Sequence, residues 1–383
     1  MKRHSNISVI LPVLFGFFIM GFCDVVGIAT SYVQQDFHLN ETMAGFIPSA
    51  VFLWFLLLSI PSALIMNKIG RKRMVIASDI VTVAGMLIPF LSYNLVTCLT
   101  AFLLLGVGNT MLQVSLNPLL TNVVKGKALT SSLTAGQVVK ALSSFCGPFI
   151  AAFAINVFGE WQLMFPIFAL ITLISMLWLQ FTHIEEEPME KGSSFGKTLA
   201  LLGNRSIFFL FLGIFFIVGA DVGINTVGPK LLIERCQLPV SQAGYASSLY
   251  FVLRTVGTFV GTMLLAKISE IIYFRVNIVL ALIAVGVLFF MQSLTGILVA
   301  IGCIGFFCSG IFSIIYSVAF KQHPDKENEI SGLMIMGVFG GAVIPPVMGL
   351  MADAIGTQIG SLLVITACIF YLTVCAFSLR RSL

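Results

Sequence analysis

The chain alternates long apolar runs with short polar segments. Each apolar run is long enough to cross a bilayer as a helix, which takes about 20 residues. Glycine and proline recur inside the runs, as membrane helices tolerate. The pattern predicts an all-α membrane protein with twelve transmembrane helices, at residues 8–33, 43–66, 73–92, 95–121, 131–157, 161–181, 206–229, 241–266, 275–292, 295–320, 328–354 and 358–379.

The pattern repeats after the sixth span. Ala44–Ser49 in span two resembles Ala243–Ser248 in span eight, and the longest polar stretch separates spans six and seven. Transporters built from two such halves bind substrate near the membrane midplane and alternate access by rocking. We predict an N-terminal six-helix half (1–181), a cytoplasmic linker (182–205) and a C-terminal six-helix half (206–383), related by pseudo-symmetry.

Two acids lie deep inside apolar runs, at corresponding places in the two halves. Asp24 is near the middle of span one and Asp221 near the middle of span seven, in similar local sequences. A carboxylate at this depth costs several kcal/mol unless it faces water or a partner. We therefore expect both acids to have a function, and the binding of a coupling ion is the simplest one.

Composition restricts the class of protein further. The chain is 58% hydrophobic and 10% charged, whereas soluble domains average about 25% charged residues. The net charge of +5 comes from basic residues scattered over short loops, which excludes a nucleic-acid interface. Of the 21 Lys and Arg residues, 17 fall in segments that would face the cytoplasm if the N-terminus does. The positive-inside rule then predicts a bacterial inner-membrane protein with both termini cytoplasmic.

Residues typical of enzymes or metal sites are not grouped in this chain. It has no GxxxxGK[ST] phosphate loop, no Ser/His/Asp arrangement and no metal-ligand spacing among its eight cysteines. We predict no enzymatic activity, no cofactor and no metal. The acidic run Glu185–Glu187 is interpreted as a solvated face. Asp79, near the start of span three, is expected to pair with the basic loop Arg71–Arg73.

Charged residues inside spans need partners. We expect Asp24 to pair with Lys140 and Asp221 to pair with Arg254. Such pairs could couple ion or substrate binding to rocking, or they could be static pairs that hold helices in register. Arg254 could instead clamp an anionic substrate by bidentate hydrogen bonds.

Amides at membrane depth suggest a polar substrate. Gln113 and Asn117 are four residues apart and share a helix face, and buried amides must be satisfied. Helix–helix contacts are the alternative use for them. Aromatic side chains could add stacking surfaces, although general packing explains them equally well. The amides are Asn109, Gln113, Asn117, Gln137 and Asn225, and the aromatic candidates are Trp54, Tyr250 and Tyr316.

Span eleven combines small residues with two prolines. Gly337, Gly340 and Gly341 precede Pro345–Pro346, which predicts a thin, kinked helix. Packing of small faces and a gating movement are both open interpretations.

Four segments resemble known transporters. Asn67–Arg73 resembles the signature between helices two and three of the major facilitator superfamily, with Asn67 near the place of its usual acid. Gly106–Pro118, Ala135–Gln137 and Ser331–Gly349 resemble the fucose–galactose–proton symporter family, typified by fucose permease. The resemblance implies the twelve-helix major facilitator fold and proton-coupled sugar uptake.

The chain departs from that family at several functional positions. Gln113 stands where the family has an acid in span four, and Gly27 lies near its acid in span one, about one turn after Asp24. The family's Asn-Ser pair in span ten is Cys308–Ser309 here. The usual coupling pair is therefore not copied.

The preferred hypothesis is cation-coupled uptake, by proton or sodium, of a monosaccharide or sugar derivative by a monomeric transporter. Transport of an organic anion or acidic sugar, efflux of lipophilic drugs and a non-transporting sensor are the alternatives. The predicted coupling residues are Asp24, Asp221 and Lys140. The predicted substrate-binding residues are Asn109, Gln113, Asn117, Gln137, Asn225, Arg254 and Tyr250.

Overall fold

The structure is a computed structural model that describes residues 7–124, 127–186, 195–265, 268–322 and 327–379. Regular structure in these ranges is helical. Twelve helical stretches among the described residues are long and apolar enough to cross a membrane, as the hydropathy pattern predicts. The chain is thus a multi-pass membrane protein.

The helices follow one another with short connections. In chain order they are α1 (Ile7–Met20), α2 (Val26–Asp36), α3 (Glu41–Ile69), α4 (Arg71–Leu91), α5 (Leu95–Val123), α6 (Lys127–Phe158), α7 (Met164–Phe181), α8 (Phe195–Ala200), α9 (Arg205–Cys236), α10 (Val240–Ala243), α11 (Tyr245–Leu265), α12 (Glu270–Phe290), α13 (Leu294–Cys308), α14 (Ile311–Gln322), α15 (Glu327–Met336), α16 (Gly340–Ile355) and α17 (Ile359–Ser378).

The seventh span is longer than the hydropathy pattern indicates. Helix α9 continues to Cys236, well past the predicted end at residue 229. Lys230 and Arg235, which follow the predicted end of span seven, therefore lie on its last turns. The prediction failed because both cations have partners that allow them to stay in the helix. Arg235, for example, donates to the carbonyl oxygens of Leu288 (2.8 Å) and Met291 (2.7 Å).

Four spans among the described residues are interrupted and therefore consist of two helices each. A 3₁₀ segment at Gly21–Val25 divides span one, and a turn at Gly244 separates α10 from α11 in span eight. A turn at Ser309–Gly310 divides span ten, and a 3₁₀ segment at Gly337–Phe339 divides span eleven. The predicted kink of span eleven thus falls at its glycines, while α16 continues through Pro345–Pro346.

Local capping signals fix several helix ends. The Asn94 side chain accepts a hydrogen bond from the Thr97 N–H (3.1 Å), and Thr97 reciprocates, so the pair forms a capping box at the start of α5. At the start of α9, the Asn204 side chain accepts hydrogen bonds from the backbone N–H groups of Ser206 and Ile207. Gly356 ends α16 with a φ of 80°, a left-handed conformation that favours glycine.

The chain divides into two compact units. The first unit comprises residues 1–25 and 57–192, and the second comprises 26–56 and 193–383. The second unit thus includes α2 and the first part of α3 as well as α8–α17. The division into halves at 1–181 and 206–383 stays a prediction. Part of the predicted cytoplasmic face lies outside the described residues, namely linker residues 187–194 and the cations Lys2, Arg3, Lys125, Lys191, Lys267, Lys326, Arg380 and Arg381.

In the first unit, α1 packs against α5, α6 and α7, and α4 packs against α5 and α7. Small residues allow close approach between these helices. Gly16 of α1 faces Leu116 of α5, and Gly136 of α6 faces the ring of Phe17. The core is apolar, with Phe17 fully buried. Burial of apolar side chains at helix interfaces accounts for this arrangement.

In the second unit, α9 is the central helix. It contacts α2, α11, α13, α14, α16 and α17. The backbone of Gly340 lies so close to the Phe215 carbonyl oxygen of α9 that a Cβ atom would overlap it, and Gly337 approaches Ile214 similarly. The small residues of span eleven are therefore used in packing on α9. The gating interpretation stays a prediction.

This contact predicts a sharp difference between two glycine substitutions. Gly340→Ala should lower the free energy of unfolding by about 1–3 kcal/mol, because the new methyl group has no space beside the Phe215 carbonyl. Gly286→Ala is the matched control, since nothing lies within 4 Å of its Cβ position. Alanine there should be neutral or stabilising by up to about 1 kcal/mol. Thermal unfolding in detergent measures both, and equal melting temperatures for the two variants would contradict the assigned packing.

Candidate functional site

Asp24 lies in the 3₁₀ segment that divides span one. Its Oδ2 accepts a hydrogen bond from the Ser144 hydroxyl of α6 (2.7 Å), and the Cys23 thiol donates to Oδ1 (3.6 Å). Gly21 allows this approach, because a side chain there would meet the Lys140 carbonyl oxygen. Lys140 stands one turn before Ser144 on α6. The Asp24–Lys140 ion pair stays a prediction, and Ser144 is a partner that sequence reasoning missed.

Three amides follow one another along α5. Asn109 is buried and donates to the carbonyl oxygen of Met20, the last residue of α1 (2.8 Å). Gln113 donates in turn to Asn109 Oδ1 (2.8 Å). One turn further along, the side-chain oxygen of Asn117 (Oδ1) is buried and has no hydrogen-bond partner among the described residues. Gln137, the fourth predicted amide of this half, is exposed on α6.

Asp221 forms a bonded cluster with α11. Its Oδ2 pairs with Arg254 Nη2 at 2.5 Å, and its Oδ1 accepts a hydrogen bond from the Tyr250 hydroxyl. Tyr250 and Arg254 are four residues apart and so share one face of α11. The expected pair of Asp221 with Arg254 is present in the structure. Its role in coupling stays a prediction.

Two of the aromatic candidates have close partners. Tyr250 is 1% exposed and its ring packs closely against Gly305, so it holds Asp221 and does not present an open face. This corrects its interpretation as a stacking surface, while substrate binding by its hydroxyl stays a prediction. Tyr316 stacks on Phe312, with an angle of 23° between the rings. The indole N–H of Trp54 is buried without a hydrogen-bond partner in the described part of the chain.

Asn225 occupies the space beside a glycine. It lies one turn after Asp221 on α9 and is 3% exposed. Its amide fills the position that a side chain on Gly27 of α2 would take. An acid at position 27, near which the resembling family has one, would require this amide to move. The departure noted in span one therefore has a direct steric counterpart in span seven.

A second polar cluster lies at the first turn of α3. Glu41 pairs with Lys230 (2.5 Å) and accepts from Gln34 Nε2 (2.7 Å). The Asp353 carboxylate of α16 accepts from the backbone N–H groups of Glu41 (2.9 Å) and Thr42 (2.8 Å). It therefore caps the start of α3, where backbone donors have no helical partner. Sequence reasoning missed these residues because each falls at the end of a span, where charges are unremarkable.

The basic residues Arg71–Arg73, predicted as a loop, form the first turn of α4 and have different partners from the predicted ones. Glu186 accepts from the backbone N–H groups of Arg71 (2.5 Å) and Lys72 (3.0 Å), so this acid of the 185–187 run is not simply solvated. The Arg71 guanidinium donates to the Pro118 carbonyl (3.0 Å) and to Asn122. Asp79 does not pair with this loop. Instead, both of its oxygens are buried without a hydrogen-bond partner among the described residues.

Metal binding has no structural counterpart in the described ranges. No group of three or more His, Cys, Asp or Glu residues within them could hold a metal ion. The cysteines in these ranges are free thiols.

Comparisons with known proteins give consistent results. The family model for the Major Facilitator Superfamily matches residues 13–344. A protein named glucose/galactose transporter from Brucella abortus is 27% identical over 373 residues, covering 91% of this chain and 88% of that protein. The L-fucose-proton symporter of Escherichia coli is 23% identical over 365 residues, covering 84% of this chain and 82% of the symporter.

Solved structures share the fold. The crystal structure of the E. coli fucose:proton symporter FucP has a TM-score of 0.70 at 19% identity, covering 99% of this chain and 100% of that one. A structure of the nucleoside transporter NupG has a TM-score of 0.78 at 15% identity, covering 97% and 98%. The major facilitator fold and the resemblance to fucose permease, both predicted from sequence, are confirmed.

The Asp221 cluster predicts a non-additive stability effect. Arg254→Gln should lower the free energy of unfolding by about 3 kcal/mol, because it leaves a mostly buried carboxylate without its cation. The double variant Asp221→Asn/Arg254→Gln should recover much of that loss. Arg205→Gln, at an exposed position, is the control and should be neutral. The free energies of unfolding of Asp221→Asn, Arg254→Gln and the double variant are measured in detergent micelles. If the effects of the two single variants simply add in the double variant, the assigned pairing is ruled out.

Proposed function

Because the chain belongs to the Major Facilitator Superfamily, a family of transporters, we propose that it is a secondary active transporter for a neutral monosaccharide or close sugar derivative. Uptake would be coupled to a proton or sodium ion and would proceed by alternating access. The protein would act as a monomer in a bacterial inner membrane, with both termini cytoplasmic. The names of relatives, glucose/galactose transporter and L-fucose-proton symporter, support the substrate class.

The observation that carries the proposal is the amide series on α5. Gln113, Asn109 and the Met20 carbonyl form a continuous hydrogen-bonded chain that ends where span one is broken. Asn117 adds a buried carbonyl oxygen without a partner within the described ranges. A buried acceptor of this kind favours a ligand donor, and sugar hydroxyls supply donors. Sites that hydrogen-bond hydroxyls reject analogues that lack them.

The second unit supplies the remaining proposed contacts. Asn225 offers an amide one turn from Asp221, and Arg254 and the Tyr250 hydroxyl meet that acid. We assign substrate contacts to these three residues together with Asn109, Gln113, Asn117 and Gln137. The coupling role is assigned to Asp24, Asp221 and Lys140. Coupling would require that ion binding at an acid changes its hydrogen bonds to Ser144 or to Tyr250 and Arg254.

Transport of an acidic sugar or organic anion is the second candidate. A substrate carboxylate would need a cation free to clamp it. Arg254 already pairs with Asp221, so its charge is matched within the protein. This pairing favours a neutral substrate, and the anion hypothesis then requires Asp221 to be displaced.

A ligand panel distinguishes these candidates. Neutral hexoses and deoxyhexoses, uronates and lipophilic cations are each added to purified protein, and the shift in melting temperature is recorded. A ligand at 100 times its Kd stabilises the fold by about 2.7 kcal/mol. We expect stabilisation by a neutral sugar that is lost in Gln113→Ala and is weakened but retained in Arg254→Gln, because a glutamine amide still donates a hydrogen bond to a hydroxyl. Each variant is compared with its own ligand-free melting temperature. Gln35→Ala, an exposed amide, is the control. Stabilisation by acids alone would replace the sugar hypothesis with the anion one.

The coupling assignment has a separate test in proteoliposomes. Asp24→Asn and Asp221→Asn should still exchange the identified sugar across the membrane but should not accumulate it against a gradient, because a neutral amide cannot carry the ion. Glu160→Gln, an exposed acid, should accumulate it normally. Accumulation that survives in both Asn variants would show that neither acid binds the coupling ion.

A further inference from the structure

Asp79 is a buried acid that the proposed site does not use. It lies on α4 and is 1% exposed. Both carboxylate oxygens lack a hydrogen-bond partner among the described residues. It shares the buried face of α4 with Val75, Ser78, Thr82 and Met86. An acid in this position requires a physical explanation, because unsatisfied buried polar groups are rare in native proteins.

The hydroxyl groups closest to Asp79 along α4, those of Ser78 and Thr82, cannot stabilise a charge on it, because both donate elsewhere. The Ser78 hydroxyl donates to the Val75 carbonyl (2.6 Å), and the Thr82 hydroxyl donates to the Ser78 carbonyl (3.0 Å). A side-chain hydroxyl has a single proton to donate. Neither residue therefore has a donor left for the Asp79 carboxylate.

Among the described residues, the elements that pack most closely against α4 carry no cation. Helices α5 and α7 and the short segment Trp161–Leu163 have no Asp, Glu, Lys, Arg or His, and Cys98 is their one titratable side chain. The cations of α4 itself are confined to its first turn, about two turns from Asp79. There, Arg71 and Lys72 donate to backbone carbonyls near the ends of α5 and α7.

The absence of a donor and a cation among the described neighbours favours one protonation state of the Asp79 carboxyl group. An ionised carboxylate without a donor or cation at a buried helix interface costs several kcal/mol. A neutral carboxyl group avoids the penalty of a buried charge. We propose that Asp79 is a proton-binding site, occupied in this conformation, and that loss of this proton loosens the packing of α4 on α5.

The position of Asp79 connects it to the amide series. Gly108 of α5 packs directly on Ser78 and Thr82, the neighbours of Asp79 on α4. The next residue is Asn109, which holds the Met20 carbonyl at the break of span one. A change of packing at Gly108 thus reaches the proposed sugar contacts through one helix. In this view, which rests on the proposed function, Asp79 binds a proton remote from the sugar and takes part in coupling together with Asp24, Asp221 and Lys140.

The first experiment detects the proton itself. Infrared difference spectra between neutral and alkaline pH should show the C=O band of a protonated carboxyl group in the wild type. The band should disappear in Asp79→Asn, the neutral isostere, and remain in Glu160→Gln. A band unchanged in Asp79→Asn would overturn the proposal. This readout needs no substrate, so it stands even if the sugar hypothesis fails.

The second experiment measures the melting temperature of the wild type as a function of pH. Since the folded state holds a proton that a solvated aspartate would release, the wild-type melting temperature should fall by several degrees as the pH rises from neutral to alkaline. Asp79→Asn should fold and should lose this part of the pH dependence. A wild type whose stability is independent of pH, or an Asn variant that retains the full dependence or fails to fold, would contradict an occupied proton site.

Transport assays distinguish a failure of the Asp79 proposal from a failure of the proposed function. With a sugar identified by the ligand panel, Asp79→Asn should exchange it at a near-normal rate but lose at least tenfold in accumulation under an inward proton gradient. Normal accumulation would remove Asp79 from coupling. Accumulation driven by sodium and insensitive to the proton gradient would also overturn the part assigned to Asp79 in proton coupling. If no sugar binds the wild type, the sugar hypothesis fails, and the infrared band still decides whether Asp79 holds a proton.

Discussion

A carboxylate surrounded by apolar helices must obtain a donor, a cation or a proton, and the buried acids of this chain follow that constraint in different ways. Asp221 has both a donor and a cation, from Tyr250 and Arg254. Asp24 has a hydroxyl donor from Ser144 at a helix break. Asp79 has neither a donor nor a cation within the described ranges. The energetic differences between these environments give each acid a different capacity to respond to an ion.

The architecture could be predicted from the sequence because hydropathy acts over whole spans. A run of about 20 apolar residues crosses a bilayer as an α-helix, so twelve spans and the all-α class follow directly from the hydropathy pattern. The Asp221–Arg254 pair could also be predicted, since two opposite charges inside neighbouring apolar spans have few other partners. The amide row on α5 follows from a spacing of four residues along one helix.

Side-chain partners across helices were harder to predict because they depend on helix rotation and length. The failure at Asp79 came from assuming that the nearest basic loop would turn toward it, whereas Arg71 reaches the end of α5 instead. The failure at Lys230 came from treating a cation as the end of a span, although Glu41 neutralises it within α9. Neither outcome has a signal in the local sequence, since each is decided by residues far away in the chain.

The contact between Gly27 and Asn225 has a consequence for how such a protein can change over evolutionary time. The Asn225 amide of α9 occupies the space that a side chain at position 27 of α2 would need. A side chain at position 27 therefore requires the Asn225 amide to move or position 225 to become smaller. The effect of a substitution at one of these positions should thus depend on the residue at the other, which makes them an epistatic pair.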